Sequence, residues 1–280
     1  MDARRYLDRI DADVTPEATP SRELLAKLQR RHLRTVPFEN LDVVAGRAIP
    51  IDRAAHYEKV VTAGRGGFCY ELNGLFDWLL GELGFRPRFV EGQVNGEDGW
   101  SQRFAHAALL VDLGADGPPA SRDGWFLADV GFGDFARRPL PLTGEARTDV
   151  SGTYRVRPLD DGRLESQYRG PRPGEDTDEI DADEWVPRYR LTPADRAGEA
   201  FKSMCEWTQT APESAFTDRL VCSIATPDGR WTLSETALTV TRGDEKTKEP
   251  VGPEERQAVL RNRFGIEFDG PLRLPSEPDP

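Results

Sequence analysis

At about residue 85 the hydrophobic rhythm of this chain changes, and that change constrains the fold more than any other feature. Before it, apolar residues recur with helical period: Leu24, Leu25, Leu28 and Leu33 around His32, then Leu72, Leu75, Phe76 and Leu79 at i, i+3, i+4 and i+7. Thr19-Pro20 offers a cap and a first-turn proline to the earlier helix. Val36-Pro37 stops it, because the residue before a proline avoids the α region. A second helix is expected from Asp52 through Thr62. A third starts near Cys69, after the glycine-rich turn Gly64-Arg65-Gly66-Gly67, and ends by Gly81 or Gly84. Beyond residue 85 short β-rich runs take over, separated by Gly, Pro and Asp clusters: Phe89–Val94, His106–Leu113, Trp125–Phe132, Tyr154–Arg157, Leu164–Tyr168 and Trp185–Leu191.

From Thr192 the pattern is mixed. Ala194–Trp207 reads as helical, and Arg219–Ala225 with Arg230–Thr241 as a hairpin across Pro227-Asp228-Gly229. Pro253–Phe264 reads as a closing helix with Val259, Leu260 and Phe264 inward, and the final PLRLPSEPDP as a frayed tail. Seven of the ten residues from Glu175 to Glu184 are acidic, a solvated loop. The order is therefore helices, a β module and an α/β module, an α+β chain with boundaries near residues 88 and 191.

Charge and cysteine usage narrow the function classes. A net charge of −12 disfavours non-specific binding to nucleic acid or to an anionic membrane. No apolar run is long enough to span a bilayer, and the first twenty residues lack a signal-peptide core. Three cysteines, Cys69, Cys205 and Cys222, form neither a disulfide framework nor a zinc knuckle, so a cytoplasmic location with reduced thiols is expected and no metal site is. Only three histidines exist, His32, His56 and His106.

Cys69 follows a glycine turn at the start of a helix, where unsatisfied N–H groups and the helix dipole favour thiolate over thiol. Taken alone it could equally be a small buried hydrophobe. His106 enters an apolar strand and needs a partner. Asp129 ends the apolar run Phe126-Leu127-Ala128, where a carboxylate is costly unless paired or well hydrogen-bonded. Adjacent strands lie about 4.8 Å apart, so His106 and Asp129 could bond across a pair. Together the three residues give a Cys-His-Asp triad: His106 takes the thiol proton, and Asp129 fixes its tautomer. His32 lies on an apolar helix face and reads as structural, His56 as a surface residue, Cys205 and Cys222 as buried and inert.

Three motifs carry a family resemblance. Arg65-Gly66-Gly67-Phe68-Cys69-Tyr70-Glu71-Leu72-Asn73 resembles the nucleophile motif of the arylamine N-acetyltransferases, Val36-Pro37-Phe38-Glu39-Asn40-Leu41 that family's N-terminal signature, and Leu127-Ala128-Asp129-Val130-Gly131-Phe132-Gly133 the strand bearing its aspartate. The match is strong to about residue 135. It is thinner later, resting on Gln209-Thr210-Ala211-Pro212 with Phe216 and on Thr226-Pro227-Asp228-Gly229-Arg230.

The resemblance implies an N-terminal helical bundle (1–88), a central β-barrel (89–191) and a C-terminal α/β lid (192–280) around a cysteine-protease-like Cys-His-Asp core. It implies acetyl-CoA as acyl-donor substrate with no tightly bound cofactor, and an aromatic amine or hydrazine as acceptor. Cys69, His106 and Asp129 map onto the family's catalytic residues, Phe38, Tyr70, Phe132 and Trp207 onto its substrate pocket, and Gly131 and Trp100 onto its cofactor contacts. The same triad would serve an amide synthase closing a macrolactam on a polyketide chain, or a Cys-His-Asp hydrolase, though the paired motifs around Phe38 and Cys69 weigh against the hydrolase; a non-catalytic binding module is disfavoured by the intact triad. Glu39 and Arg65 sit in strong motifs without a role in acyl chemistry and are expected to form a buried ion pair that braces the nucleophile turn.

Overall fold

Helices dominate the first 85 residues because their apolar stripes have one another to pack on. In a computed structural model that describes residues 1–114, 122–170, 181–270 and 272, the helices are α1 (Ala3–Arg9), α2 (Arg22–Thr35), α3 (Leu41–Val44), α4 (Arg53–Tyr57), which continues as a π-turn over Glu58–Thr62, and α5 (Cys69–Glu82). Ser21, not Thr19, caps α2: its hydroxyl accepts the Leu24 N–H at 3.1 Å. Asp52 caps α4 as expected. The side chains of Leu72, Leu75, Phe76, Leu79 and Leu80 on α5 are fully buried.

The strands follow as β1 (Phe38–Glu39), β2 (Arg86–Gly96), β3 (Gly99–Trp100), β4 (His106–Asp112), β5 (Trp125–Ala128), β6 (Leu140–Pro141), β7 (Arg147–Asp149), β8 (Gly152–Pro158), β9 (Leu164–Arg169), β10 (Trp185–Thr192), β11 (Cys222–Ala225), β12 (Gly229–Leu233), β13 (Ala237–Arg242) and β14 (Glu245–Pro250). One antiparallel sheet runs β6-β5-β4-β2-β10-β9-β8-β7, with β3 folded onto β2, and curls until β6 approaches β8 as a nearly closed barrel. Its inward residues, Val90, Leu110, Leu127, Tyr154 and Leu191 among them, form one core. The opposite face of β2, β4 and β5 supplies Phe89, Leu109 and Phe126 to the core shared with the helices, so α5 packs directly on β4 and β2.

The C-terminal region holds a second sheet, β1-β11-β12-β13-β14, with α6 (Lys202–Thr210) and α7 (Arg256–Val259). Three features here differ from the sequence reading. The run 230–241 breaks into two strands at Ser234–Thr236, because Ser234 N–H and Oγ both bond the Ala237 carbonyl in a turn. The charged segment Glu245–Pro250 is a fourth strand, wholly exposed and therefore without a hydrophobic alternation to reveal it. The sheet also takes in β1 from the N-terminal segment, pairing Phe38 with Ser223 and Glu39 with Cys222. The acidic run lies partly outside the described residues (175–180), as does the tail apart from Leu272. No helix among the described residues is long and apolar enough to cross a membrane.

Candidate active site

The two N-terminal motifs are clamped together by backbone. Glu39 N–H donates to the Gly67 carbonyl at 2.9 Å, and Gly67 N–H to the Pro37 carbonyl at 3.3 Å. A Cβ at Gly66 would collide with that same Pro37 carbonyl, which is why the turn before Cys69 carries glycine. Glu71 then caps the helix: its Oε2 accepts the Phe68 N–H at 3.1 Å, and Cys69 becomes the first residue of α5.

A buried charge cluster lies under this turn. Arg65 donates from Nε and Nη2 to Glu39 Oε1 at 3.1 and 2.8 Å, as the motif reading expected. Lys59, which sequence reasoning missed, reaches Asp42 at 2.7 Å and Glu71 at 2.8 Å. Three carboxylates thus face two cations, and the surplus falls on Glu71, whose carboxyl burial pushes up to about 6 against the pull of Lys59 and with a further push from Glu39.

Asp129 sits one residue beyond β5, and all four of its acceptor positions are filled. Its Oδ2 accepts from His106 Nε2 at 2.8 Å and from the Tyr189 hydroxyl at 2.9 Å; its Oδ1 accepts from Asn73 Nδ2 at 2.8 Å and from Gly131 N–H at 2.9 Å. Burial opposes the carboxylate, but His106 and then the Asn73 and Gly131 donors outweigh it and hold Asp129 below its ordinary range. Asn73 is itself locked, donating also to the Ala107 carbonyl at 2.7 Å and accepting Val130 N–H at 2.9 Å. It stands four residues after Cys69, on the same face of α5, a spacing that could have flagged it. Tyr189 arrives from β10, sixty residues from Asp129, with no local signal to announce it.

Cys69 meets this constellation through Gly131. A Cβ there would lie 2.7 Å from both Cys69 Cα and Asn73 Nδ2, so only glycine lets the segment after Asp129 approach the start of α5 so closely. Burial pushes the Cys69 thiol well above its ordinary range, more than the Ala107 and Tyr70 backbone donors can offset. That direction is opposite to the one the helix start alone would give. With Nε2 bonded to Asp129, Nδ1 is the ring nitrogen of His106 left for another partner.

Neither other histidine competes. His32 Nε2 bonds the Tyr6 hydroxyl at 2.9 Å, and burial lowers its pKa to about 3. His56 corrects the surface reading: it is buried, bonded through Nε2 to the Pro50 carbonyl at 2.7 Å, and lowered by burial to about 4. Cys205 and Cys222 are buried and unpaired, and burial raises both thiols.

Beside the triad lies a cleft of about 590 Å³ between the barrel and the C-terminal sheet. Phe38 and Phe132 are in its wall, and the Phe132 ring stands edge-on to His106 at 5.1 Å. The other expected pocket residues fall elsewhere. Tyr70 is 2% exposed, its hydroxyl bonded to the Phe104 carbonyl and its ring against Phe68 and Phe201, which makes it core. Trp207 points outward on α6 at 36% exposure, because its neighbours Cys205 and Thr208 take the buried face. Trp100 lies outside the described wall of the cleft, its ring covered by the Arg190 guanidinium at 3.9 Å. No cluster of metal-ligating side chains exists among the described residues.

Comparison with known proteins agrees with this geometry. The N-acetyltransferase family model matches residues 22–273. The arylamine N-acetyltransferase of Mycolicibacterium smegmatis is 32% identical over 277 residues, covering 96% of this chain and 93% of its own, and human arylamine N-acetyltransferase 1 is 30% identical over 287 residues, covering 97% and 96%. Among solved structures, the Mycobacterium marinum arylamine N-acetyltransferase in complex with CoA superposes with a TM-score of 0.81 at 29% identity, over 95% of this chain and 93% of that one. An arylamine N-acetyltransferase from Bacillus cereus with a Cys-His-Glu catalytic triad gives 0.80 at 25% identity, over 96% and 100%.

Proposed function

The chain belongs to the arylamine N-acetyltransferase family, and on that premise we propose that it moves an acetyl group from acetyl-CoA to an aromatic amine or hydrazine through an acetyl-Cys69 intermediate. The observation that carries this reading is the 2.8 Å bond from His106 Nε2 to Asp129 Oδ2, buried beside the helix start that bears Cys69.

In the first half-reaction the Cys69 sulfur attacks the thioester carbonyl carbon as His106 Nδ1 takes the thiol proton. The C–S bond to coenzyme A breaks, and the departing thiolate receives that proton. In the second, the acceptor nitrogen attacks the acetyl-Cys69 carbonyl and gives a proton to His106; the C–S bond breaks, and the leaving Cys69 sulfur takes that proton back, which restores the starting enzyme. Asp129 is a positioning residue: it holds the Nε2–H tautomer and stabilises the imidazolium. Asn73, Gly131 and Tyr189 hold Asp129 in turn. Phe38 and Phe132 offer the acceptor ring an aromatic wall. The three unpaired thiols suit a cytoplasmic setting.

Intact-mass spectrometry after brief mixing with acetyl-CoA tests this. One acetyl group should add to the wild type and none to Cys69→Ser. Absence of the adduct in a wild type that binds acetyl-CoA, or its persistence in Cys69→Ser, refutes the reading.

A further inference from the structure

Strand β10 is irregular at one point. Pro187 pairs with Gln167 of β9 and Tyr189 with the next residue, Ser166, so Arg188 is an extra residue between them. Such bulges break the two-residue alternation and re-aim a side chain. Without the bulge Arg188 and Tyr189 would face opposite sides of the sheet. Here Tyr189 is buried in the barrel core and bonds Asp129, while Arg188 lines the cleft, its guanidinium 5.1 Å from the Phe132 ring centre. Its Nε is buried with no hydrogen-bond partner among the described residues.

A second guanidinium lines the same cleft. Arg230 is 9% exposed; it donates to the Gly133 carbonyl and to Ser223 Oγ, and its Nε lies 3.2 Å from Asp134, yet its Nη2 is buried without a partner. Arg137 lines the cleft too, but its three nitrogens are committed to Ser151 and to the Thr226 and Gly229 carbonyls. Lys246 and Lys248 stand at the exposed edge on β14, and Asp134 is the one acid in the described wall. In a chain of net charge −12 this is a cationic recess with unused donors.

We infer that Arg188 and Arg230 form an anion subsite that receives an acidic oxygen group of a substrate while its reacting atom lies at Cys69. The inference rests on the acetyl-transfer reading above. Planar guanidinium donors match carboxylate and phosphate oxygens, and such charge-assisted bonds are the strong ones. Two steps of 5.1 Å, imidazole to Phe132 ring and ring to guanidinium carbon, cap the distance from His106 to Arg188 at about 10 Å. That range suits an acid group carried on the acceptor's own aromatic ring. The phosphates of coenzyme A are held much farther from the thioester by the pantetheine arm.

The test is a pair of substrate ratios, measured as kcat/KM in the wild type, Arg188→Gln and Arg188→Lys. The first compares 4-aminobenzoate with uncharged 4-aminobenzamide; the second compares acetyl-CoA with S-acetylpantetheine, which lacks the phosphates. Arg188→Gln should lower the acid-to-amide ratio about tenfold or more, and Arg188→Lys should restore part of it. A fall in the acetyl-CoA ratio instead supports the subsite and assigns it to a donor phosphate. If neither ratio moves by more than about twofold in folded variants, the inference is overturned. A wild type that acetylates neither amine refutes the acetyl-transfer reading itself, a result the variant ratios cannot mimic.

Discussion

Replacing Asp129 by Asn should leave the fold and remove the chemistry, and the hydrogen-bond pattern dictates how. The new side chain has one acceptor oxygen and one donor NH2 where the carboxylate had two acceptors. On the Oδ1 side it meets Gly131 N–H, a fixed backbone donor, and Asn73 Nδ2, whose orientation is locked by the Ala107 carbonyl and Val130 N–H. An NH2 there would strand two donors at about 1–3 kcal/mol each. On the Oδ2 side the Tyr189 hydroxyl can rotate to accept, and His106 can accept at Nε2 by moving its proton to Nδ1. The NH2 therefore turns toward His106 and imposes the tautomer that cannot take the Cys69 proton. The imidazolium also loses its counter-charge. By analogy with serine triads the loss in acyl-enzyme formation should approach about 10⁴-fold. Stopped-flow or quench-flow acetylation of Cys69, read by intact mass, measures it, and a thermal melt checks the fold. Retention of more than about a tenth of the rate in a folded variant would show that the proton does not pass through an Asp129-oriented imidazole.

Three further outcomes follow from the same structure. In His106→Asn the Cys69 thiol, raised by burial, should alkylate with iodoacetamide only at pH well above that needed by an ordinary cysteine, whereas the wild type should show a rate plateau below pH 8 if the proton resides on His106; matching profiles would remove His106 from the activation. Lys59→Met leaves three buried carboxylates against Arg65 alone and should cost about 3–5 kcal/mol, a fall in Tm of roughly 10 °C; Arg65→Ala should lower Tm likewise, and a fully stable but inactive Arg65→Ala would point to a substrate role instead. His56 is neutral when folded, with its pKa depressed to about 4 from 6.5, so it contributes stability that is present above pH 6.5 and lost as pH falls; the drop in urea-unfolding free energy from pH 7 to pH 5 should be about 2 kcal/mol smaller in His56→Gln, and equal drops would refute the assignment.

The triad and the residues that reach it divide by how far along the chain their causes lie. Cys69, His106 and Asp129 were legible because each breaks a local rule: a thiol opening a helix after two glycines, an imidazole and a carboxylate in apolar strands. The Glu39–Arg65 pair was legible as charge inside two motifs that otherwise read as core. Their surroundings were not. Lys59 looks like any helix-surface lysine until α4 passes into a π-turn that carries it under the nucleophile loop. His56 is the same error in reverse: no apolar strand around it demanded a partner, yet it is buried and bonded to the Pro50 carbonyl. Tyr70 and Trp207 show why an aromatic in a family-like position is weak evidence, since rings fill the core as readily as a pocket, and Tyr70 does the former between Phe68 and Phe201.

Arg188 is the most instructive case, because strand alternation argues against it. Reading Trp185–Leu191 with period two sets Tyr189 and Leu191 on one face with Pro187, and gives Arg188 and Arg190 to the other. The structure keeps Tyr189 and Leu191 inward in the barrel core and leaves Arg190 outside against Glu165 and Trp100. The bulge at Arg188 breaks the pattern at one residue, and it does so where the strand passes the triad. An extended sheet gives up ladder regularity there, and the side chain so released is a cation stacked on Phe132 with a donor nitrogen unused.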